Sequence, residues 1–177
     1  MCIRDRVSRT VNFLNALLSA GCILFLFWSI TRLVRSLLKE EKENLSVTDV
    51  IIILGSGLVG ALAYTFSDTF WFSAVEGEVY AFSSFLTALV FWMILRWQDE
   101  SDTVYGDRWI ILIAYIIGLS IGVHLLNLLC IPAIVLVFYY QKYRTISLKG
   151  AIAAIALSGL LIVLILFVYI PGMADIG

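Results

Sequence analysis

The sequence contains five long apolar stretches, separated by polar segments. They cover residues 11–31, 50–66, 79–95, 109–140 and 151–170. A helix of about 20 apolar residues crosses the hydrocarbon core of a bilayer. Of the 177 residues, 62% are hydrophobic and only 14% are charged, so a soluble fold could not cover this much apolar surface. The pattern predicts an all-α integral membrane protein.

The fourth stretch, residues 109–140, is too long for a single crossing. As one helix its 32 residues would extend about 48 Å. The linkers on both sides of it, 96–108 and 141–150, contain Lys or Arg, which concentrate on the cytoplasmic side. Two short helices joined near residues 121–127 would return both linkers to one face. We therefore predict about six transmembrane helices, near residues 11–38, 50–67, 76–97, 108–122, 125–141 and 148–170.

Three arginines near the N-terminus do not fit this orientation. Arg4, Arg6 and Arg9 precede the first apolar stretch, and the linker after it, 32–49, contains four basic residues. If that linker is cytoplasmic, the three arginines lie outside, against the usual charge distribution. Either the charge rule is violated or the opening MCIRDR is not native. We favour a non-native leader over residues 1–10 and a partial transmembrane domain over residues 11–177.

The composition argues against several classes of function. A net charge of −1 leaves no electrostatic footprint for nucleic acid. One histidine in the chain rules out a multi-histidine metal site, and the three cysteines lack the spacing of metal ligands or of a disulfide framework. We therefore assign no metal-binding residues and predict no cofactor, and the sequence leaves a metal requirement open.

The segment SDTFWFSAVEGEVYAFSS, residues 67–84 and hereafter the acidic segment, joins the second and third apolar stretches. It contains no Lys, Arg or His, which places it on the outer face by the same charge rule. It carries carboxylates and aromatic rings, namely Asp68, Glu76, Glu78, Phe70, Trp71, Phe72, Tyr80 and Phe82. A structural explanation exists for part of this, because Ser73 and Glu76 fit a capping box and aromatic rings are common at the membrane interface.

Two polar residues, His124 and Asn127, interrupt the fourth apolar stretch. An ionisable group at membrane depth is costly and is a functional candidate. A neutral histidine bonded to a neighbouring helix is the structural alternative, and Asn127 could serve similarly. If the turn lies at the outer face, His124 could meet the acidic segment and contact a phosphate or an acceptor. Within the acidic segment we favour Glu78 over Glu76 as the functional carboxylate, because Glu76 would already take part in the capping box.

Two longer segments resemble a bacterial family of membrane proteins described as protein O-mannosyltransferase-like. They are GSGLVGALAYTFSDTFWFSAVEGEVYAFSSFLTALVFW, residues 55–92, and DRWIILIAYIIGLSIGVHLLNLLCIPA, residues 107–133. Residues 14–33 resemble the second membrane helix of that family. The resemblance implies a GT-C type of glycosyltransferase, a multi-helix membrane enzyme that takes a sugar from a polyprenyl-phosphate donor on the outer face.

The resemblance also implies where substrates bind. The candidate substrate-binding residues are Glu78, Glu76, His124, Tyr80, Trp71, Asp68 and Asn127. Family members carry an acidic motif similar to DxGEF after their first helix, the expected region of the catalytic base, and this motif does not occur here. We therefore expect the catalytic carboxylate to lie upstream of this chain and the chain to be a fragment that is inactive alone.

Three functions remain open from the sequence. The first is transfer of a hexose, mannose in our reading, to Ser or Thr hydroxyls of exported proteins in the bacterial inner membrane. Its partners would be the lipid bilayer, the lipid-linked sugar and the exported acceptor protein. The second is a transporter or channel module, since broken helices occur in transporters, although the polar groups here gather at one face. The third is a non-catalytic membrane scaffold.

Overall fold

The structure is a computed structural model that describes residues 3–41, 45–76, 79–103, 105–143 and 147–174. All regular secondary structure within these ranges is helical. The described α-helices are α1 (Ile3–Glu41), α2 (Val47–Thr65), α3 (Asp68–Val75), α4 (Tyr80–Glu100), α5 (Asp107–Ile121), α6 (Cys130–Lys142), α7 (Leu148–Leu164) and α8 (Ile170–Ala174). A 3₁₀ turn, Leu125–Leu129, precedes α6, and a π-helical turn, Ile165–Tyr169, joins α7 to α8.

In the described part of the chain, four helices are long and apolar enough to cross a bilayer. They are Arg6–Leu38 within α1, Val47–Thr65, Tyr80–Glu100 and Leu148–Gly172. The shorter helices α5 and α6 are also mainly apolar. These helices confirm the all-α, multi-pass membrane architecture predicted from the sequence.

The centre of the bundle is formed by α1 and α4, which run parallel. The thiol of Cys22 lies 3.4 Å from the Ser84 carbonyl oxygen, to which it donates. Further along both helices, the guanidinium of Arg32 forms an ion pair with the Asp99 carboxylate. Both contacts advance in the same direction along the two helices, which shows that α1 and α4 are parallel.

Helix α2 lies antiparallel against α1 through small residues. Gly57 is buried on this interface, where an added methyl group would overlap the Thr31 methyl and lie 3.0 Å from the Phe27 ring. Gly60, one turn later, faces Ile30. The close approach uses the packing of small residues that is common between membrane helices.

The fourth apolar stretch folds as a broken hairpin against α4. At the start of α5, the Trp109 indole donates to the Glu100 carboxylate at 2.7 Å. At the end of α6, the Gln141 amide donates to the Ser101 hydroxyl at 2.7 Å. Both contacts lie at the C-terminal end of α4, so the chain leaves that end along α5 and returns to it along α6. The predicted pair of short helices is confirmed.

A buried apolar cluster holds this hairpin in place. It consists of Val90, Met93, Ile94 and Trp97 from α4, Ile113 and Ile117 from α5, and Cys130 from α6. The Trp97 ring also stacks on Phe138 of α6, with centroids 5.8 Å apart and planes 11° apart. Each short helix therefore packs on α4.

Helix α1 begins earlier than the apolar pattern predicts. It is continuous over Ile3–Glu41, 39 residues and about 58 Å, and thus includes most of the segment interpreted as a leader. The interpretation of residues 1–10 as a non-native leader stays a prediction.

The capping box predicted at Ser73 and Glu76 is wrong. The Ser73 hydroxyl donates to a carbonyl one turn earlier within α3, at 3.0 Å. Glu76 is the C-cap of α3, and α4 begins only at Tyr80, without a side-chain cap. The reason is tertiary, because Phe70 is buried against Tyr64, with ring centroids 4.6 Å apart. Burial of this ring favours a short helix in a segment expected to be a loop.

A capping box does occur at the start of α2. The Asp49 backbone N–H donates to the Ser46 hydroxyl oxygen at 3.3 Å, and the Ser46 N–H donates to the Asp49 carboxylate at 2.8 Å. This reciprocal pair satisfies two donors that the first turn of a helix otherwise leaves open.

We expect Ser46→Ala to lower the free energy of unfolding by about 1 kcal/mol, because the first turn of α2 loses its side-chain acceptor. Denaturant unfolding in detergent micelles measures the change. Ser8→Ala, an exposed position on α1, is the control and should leave the unfolding midpoint unchanged. Equal losses in the two variants would contradict the role of the cap.

Candidate functional site

The acidic segment and the turn of the hairpin meet at one end of the bundle. The imidazole of His124 lies against the Tyr80 ring, with centroids 5.5 Å apart and planes inclined by 57°. Tyr80 is the first residue of α4, so this contact fixes the turn beside the start of that helix. The His124 backbone N–H donates to the Ser120 carbonyl at 2.8 Å and thereby closes the end of α5. We call this end of the bundle the acidic end.

Asn127 lies deeper in the same turn and is fully buried. Its Oδ1 accepts a hydrogen bond from the Thr87 hydroxyl of α4. Thr87 is seven residues after Tyr80, or about 10 Å further along the helix. The Nδ2 group of Asn127 is buried without a hydrogen-bond partner among the described residues. A buried amide donor at membrane depth thus lies next to the candidate site.

Asn15 is a site residue that the sequence reasoning missed. Its side chain on α1 is 6% exposed, and its Nδ2 donates to the Glu76 backbone carbonyl. The bond attaches α1 to the end of α3 and so positions the acidic segment over the bundle. A signal was present, because asparagine inside an apolar run carries the same cost that singled out His124.

The structure describes two of the three carboxylates of the acidic segment. Asp68 and Glu76 have exposed side chains, and Asp68 lies in the first turn of α3, where the helix dipole favours a negative charge. Glu78, the favoured carboxylate, lies outside the described residues. Across the ranges that the structure describes, no three His, Cys, Asp or Glu side chains come together as a candidate metal site.

The aromatic residues of the acidic segment separate into two groups. Phe70 is buried, whereas Trp71 and Phe72 are 57% and 62% exposed on α3. Exposed rings at the end of a membrane bundle fit an interfacial belt. Of the predicted binding residues, Tyr80, His124 and Asn127 lie in the contacts between α4 and the turn, and Trp71 and Asp68 lie on the surface of α3.

An apolar cavity of about 360 Å³ lies between α1, α2 and α4. Its wall includes Tyr64, whose ring packs on Phe70, and Thr87, which bonds to Asn127. Most of the remaining wall is aliphatic or aromatic, with Leu26 and Phe91 among its residues. The cavity therefore extends from the candidate site into the membrane-spanning part of the bundle.

A family comparison connects this geometry with an activity. Residues 2–147 match the model of a family described as the protein O-mannosyl-transferase TMEM260 N-terminal domain. The chain belongs to this family. Both the acidic segment and the hairpin turn lie inside the matched region. Comparisons with curated proteins and with solved structures give no significant match.

Membership gives the contacts at the acidic end a functional context. The family is the N-terminal domain of a protein O-mannosyltransferase, so these contacts belong to a domain of a glycosyltransferase family. Asn15, Tyr80, Thr87, His124 and Asn127 all fall within the family region. The multi-pass helical architecture fits a membrane-embedded enzyme domain.

Proposed function

We propose that this chain forms one wall of the substrate chamber of a membrane protein O-mannosyltransferase. The donor is a polyprenyl-phosphate sugar, mannose in the proposal, and the acceptor is a Ser or Thr hydroxyl of an exported protein. The observation that carries the proposal is the contact between His124 and Tyr80, which joins two separate segments of the family region at one end of the bundle.

The donor, the acceptor and the protein side chains have different roles in the proposed reaction. The bond between C1 of the sugar and the donor phosphate breaks, the phosphate leaves with the electron pair, and C1 bonds to the acceptor oxygen. The acceptor proton passes to a general base, which the resemblance locates in an acidic motif that this chain lacks. In this chain, the His124 imidazole donates to the donor phosphate. The carboxylates of the acidic segment, Glu78 among them, bind sugar hydroxyls.

The apolar cavity offers a place for the isoprenoid chain of the donor. At about 360 Å³ it has the size of a small ligand pocket, and its walls are mainly hydrocarbon. Tyr64 connects its wall to α3 through Phe70. A lipid-linked donor needs this combination of a polar head region and an adjoining apolar channel.

The distribution of basic residues supports an extracytoplasmic location of the acidic end. The opposite end of the bundle, which we call the basic end, carries Arg32, Arg35, Arg96, Arg108 and Lys142. Basic residues concentrate on the cytoplasmic side of a membrane. Exposed arginines at the start of α1 run against this trend, and the proposed orientation therefore rests on the larger number of cations at the basic end. The proposed membrane is the bacterial inner membrane.

A transporter module is the competing proposal. It would place polar groups near the bilayer midplane, at a site formed by broken helices. The hairpin is broken, but its polar residues meet α4 near the acidic end, and the cavity between α1, α2 and α4 is lined mainly by apolar side chains. These observations favour a lipid-linked substrate over a hydrophilic one that crosses the membrane.

We expect His124→Ala to weaken binding of the donor about tenfold, because the phosphate loses a hydrogen-bond donor, worth about 1.4 kcal/mol. Photolabelling of the purified chain with a photoreactive polyprenyl-phosphate mannose measures the affinity. Tyr115→Ala, an exposed position on α5, is the control and should label like the unmodified chain.

The same substitution extends the test to catalysis. In membranes that contain a complete family enzyme, replacing the equivalent histidine should lower mannose transfer to a Ser/Thr peptide. Unchanged labelling by both His124→Ala and Tyr80→Ala, together with unchanged transfer, would overturn the proposal.

A further inference from the structure

A second cavity, of about 940 Å³, lies at the basic end between α1, α2 and α4. One part of its wall is polar and is formed by Thr31, Arg32, Arg35, Ser36, Gln98 and Asp99. The other part is aliphatic and includes Leu37, Ile53 and Leu95, one from each helix. The cavity is thus amphipathic, with guanidinium groups beside hydrocarbon.

Two of the arginines near this cavity are paired with carboxylates of α4. Arg32 pairs with Asp99, and Arg96 pairs with Glu100 one turn away on α4. The Glu100 carboxylate also accepts a hydrogen bond from an indole of α5. Arg35 has no ion pair among the described side chains, so its guanidinium can bind an added anion.

The position of Arg35 matches the headgroup level of a bilayer. It lies near the end of the apolar span Arg6–Leu38, where basic side chains reach the interface. Leu33 and Leu37, on either side of it in the sequence, are 42% and 66% exposed. Leucines exposed enough to contact the acyl chains of the surrounding lipid therefore lie on the same turns of α1 as Arg35, on another face of the helix.

We propose that the cavity at the basic end binds the phosphate group of an anionic membrane lipid. The guanidiniums of Arg35 and Arg32 hold the phosphate through charge-assisted hydrogen bonds. Ser36 and Gln98 offer polar groups to the rest of the headgroup, and an acyl chain lies along the leucine wall. Basic pockets between membrane helices recognise anionic lipids in this way. The cavity shares no lining residue with the apolar cavity assigned to the donor.

Inorganic phosphate has the same anionic group as the lipid headgroup, but it has no hydrocarbon to contact the apolar wall of the cavity. A soluble anion would use Arg35 and Arg32 and would gain nothing from Leu37 or Ile53. A lipid uses both parts of the cavity, and for this reason we assign the site to a lipid.

Native mass spectrometry of the purified chain in micelles, titrated with phosphatidylglycerol or phosphatidylcholine, tests the assignment. We expect phosphatidylglycerol to bind about tenfold more tightly, and Arg35→Gln to weaken its binding about fivefold. Arg108→Gln is the matched control, because it removes the same charge at the same end from an arginine that stacks on Tyr105 at 4.2 Å outside the cavity. Binding by this control should be unchanged.

Three outcomes would overturn the proposal. The first is equal affinity for the two lipids, and the second is an equal loss in Arg35→Gln and Arg108→Gln. The third is inorganic phosphate that binds in an Arg35-dependent manner and is not displaced by phosphatidylglycerol, which would assign the cavity to a free anion. Arg35 is exposed and has no ion pair with any side chain that the structure describes, so Arg35→Gln should keep the helical circular dichroism and unfolding temperature of the unmodified chain.

Discussion

Gly57→Ile is expected to lower the free energy of unfolding by about 3 kcal/mol. Gly57 is buried between α1 and α2, and any side chain there meets the methyl of Thr31 and the ring of Phe27. Thr31 cannot move aside easily, because it is β-branched and its hydroxyl donates to the Trp28 carbonyl at 3.0 Å. The two helices must therefore separate, and the packing along their interface is lost.

Gly55→Ile is the matched control for this prediction. A side chain at Gly55 meets open space, so the variant carries the same change in helix propensity without the steric overlap. Unfolding in detergent micelles, followed by circular dichroism, should show a large shift for Gly57→Ile and a small one for Gly55→Ile. Similar shifts would mean that the contact between α1 and α2 does not limit stability.

The second large effect is expected at the buried bond between α4 and the hairpin turn. Thr87→Val should lower the free energy of unfolding by about 2 kcal/mol, because Asn127 would lose its hydrogen bond while remaining fully buried. Valine has nearly the shape of threonine, so the packing of α4 should change little. The same variant should loosen the turn that carries His124.

Thr10→Val is the control that separates the loss of the bond to Asn127 from the loss of a contact between a threonine hydroxyl and a backbone carbonyl. Both threonine hydroxyls lie within hydrogen-bond distance of the carbonyl oxygen four residues earlier, Thr10 at 3.0 Å and Thr87 at 2.9 Å, but Thr10 is exposed and lies far from Asn127 in the sequence. Hydrogen exchange of residues 122–129 should rise in Thr87→Val alone. The double variant Thr87→Val/Asn127→Leu should recover part of the lost stability, and full additivity of the two substitutions would argue against the bond.

Much of the architecture follows from hydropathy. A bilayer offers no hydrogen bonds to an exposed backbone, so long apolar runs must form helices, and the length and flanking charges of residues 109–140 indicated a hairpin. The approach of His124 to the acidic segment was considered at the same stage, because a turn on the outer face would bring the two together. The observed contact with Tyr80 fits that geometry.

The details of the site did not follow from local patterns. Ser73 and Glu76 have the spacing of a capping box, yet the burial of Phe70 places them in and after a short helix. The bond from Asn15 to the Glu76 carbonyl joins residues 61 positions apart, and no local rule relates them. The pairing of Arg32 with Asp99 likewise depends on the parallel arrangement of α1 and α4.

The sequence by itself determined that the protein is a membrane protein. It also determined the number and approximate length of the apolar helices and the separation of acidic from basic segments. Each of these depends on residue type and spacing along the chain. Tertiary structure decided which helix faces meet, that residues 68–75 coil into α3, and that Asn15, Thr87 and Asn127 form bonds between helices. Those outcomes depend on which side chains can be buried together, and that choice is made only when the helices pack.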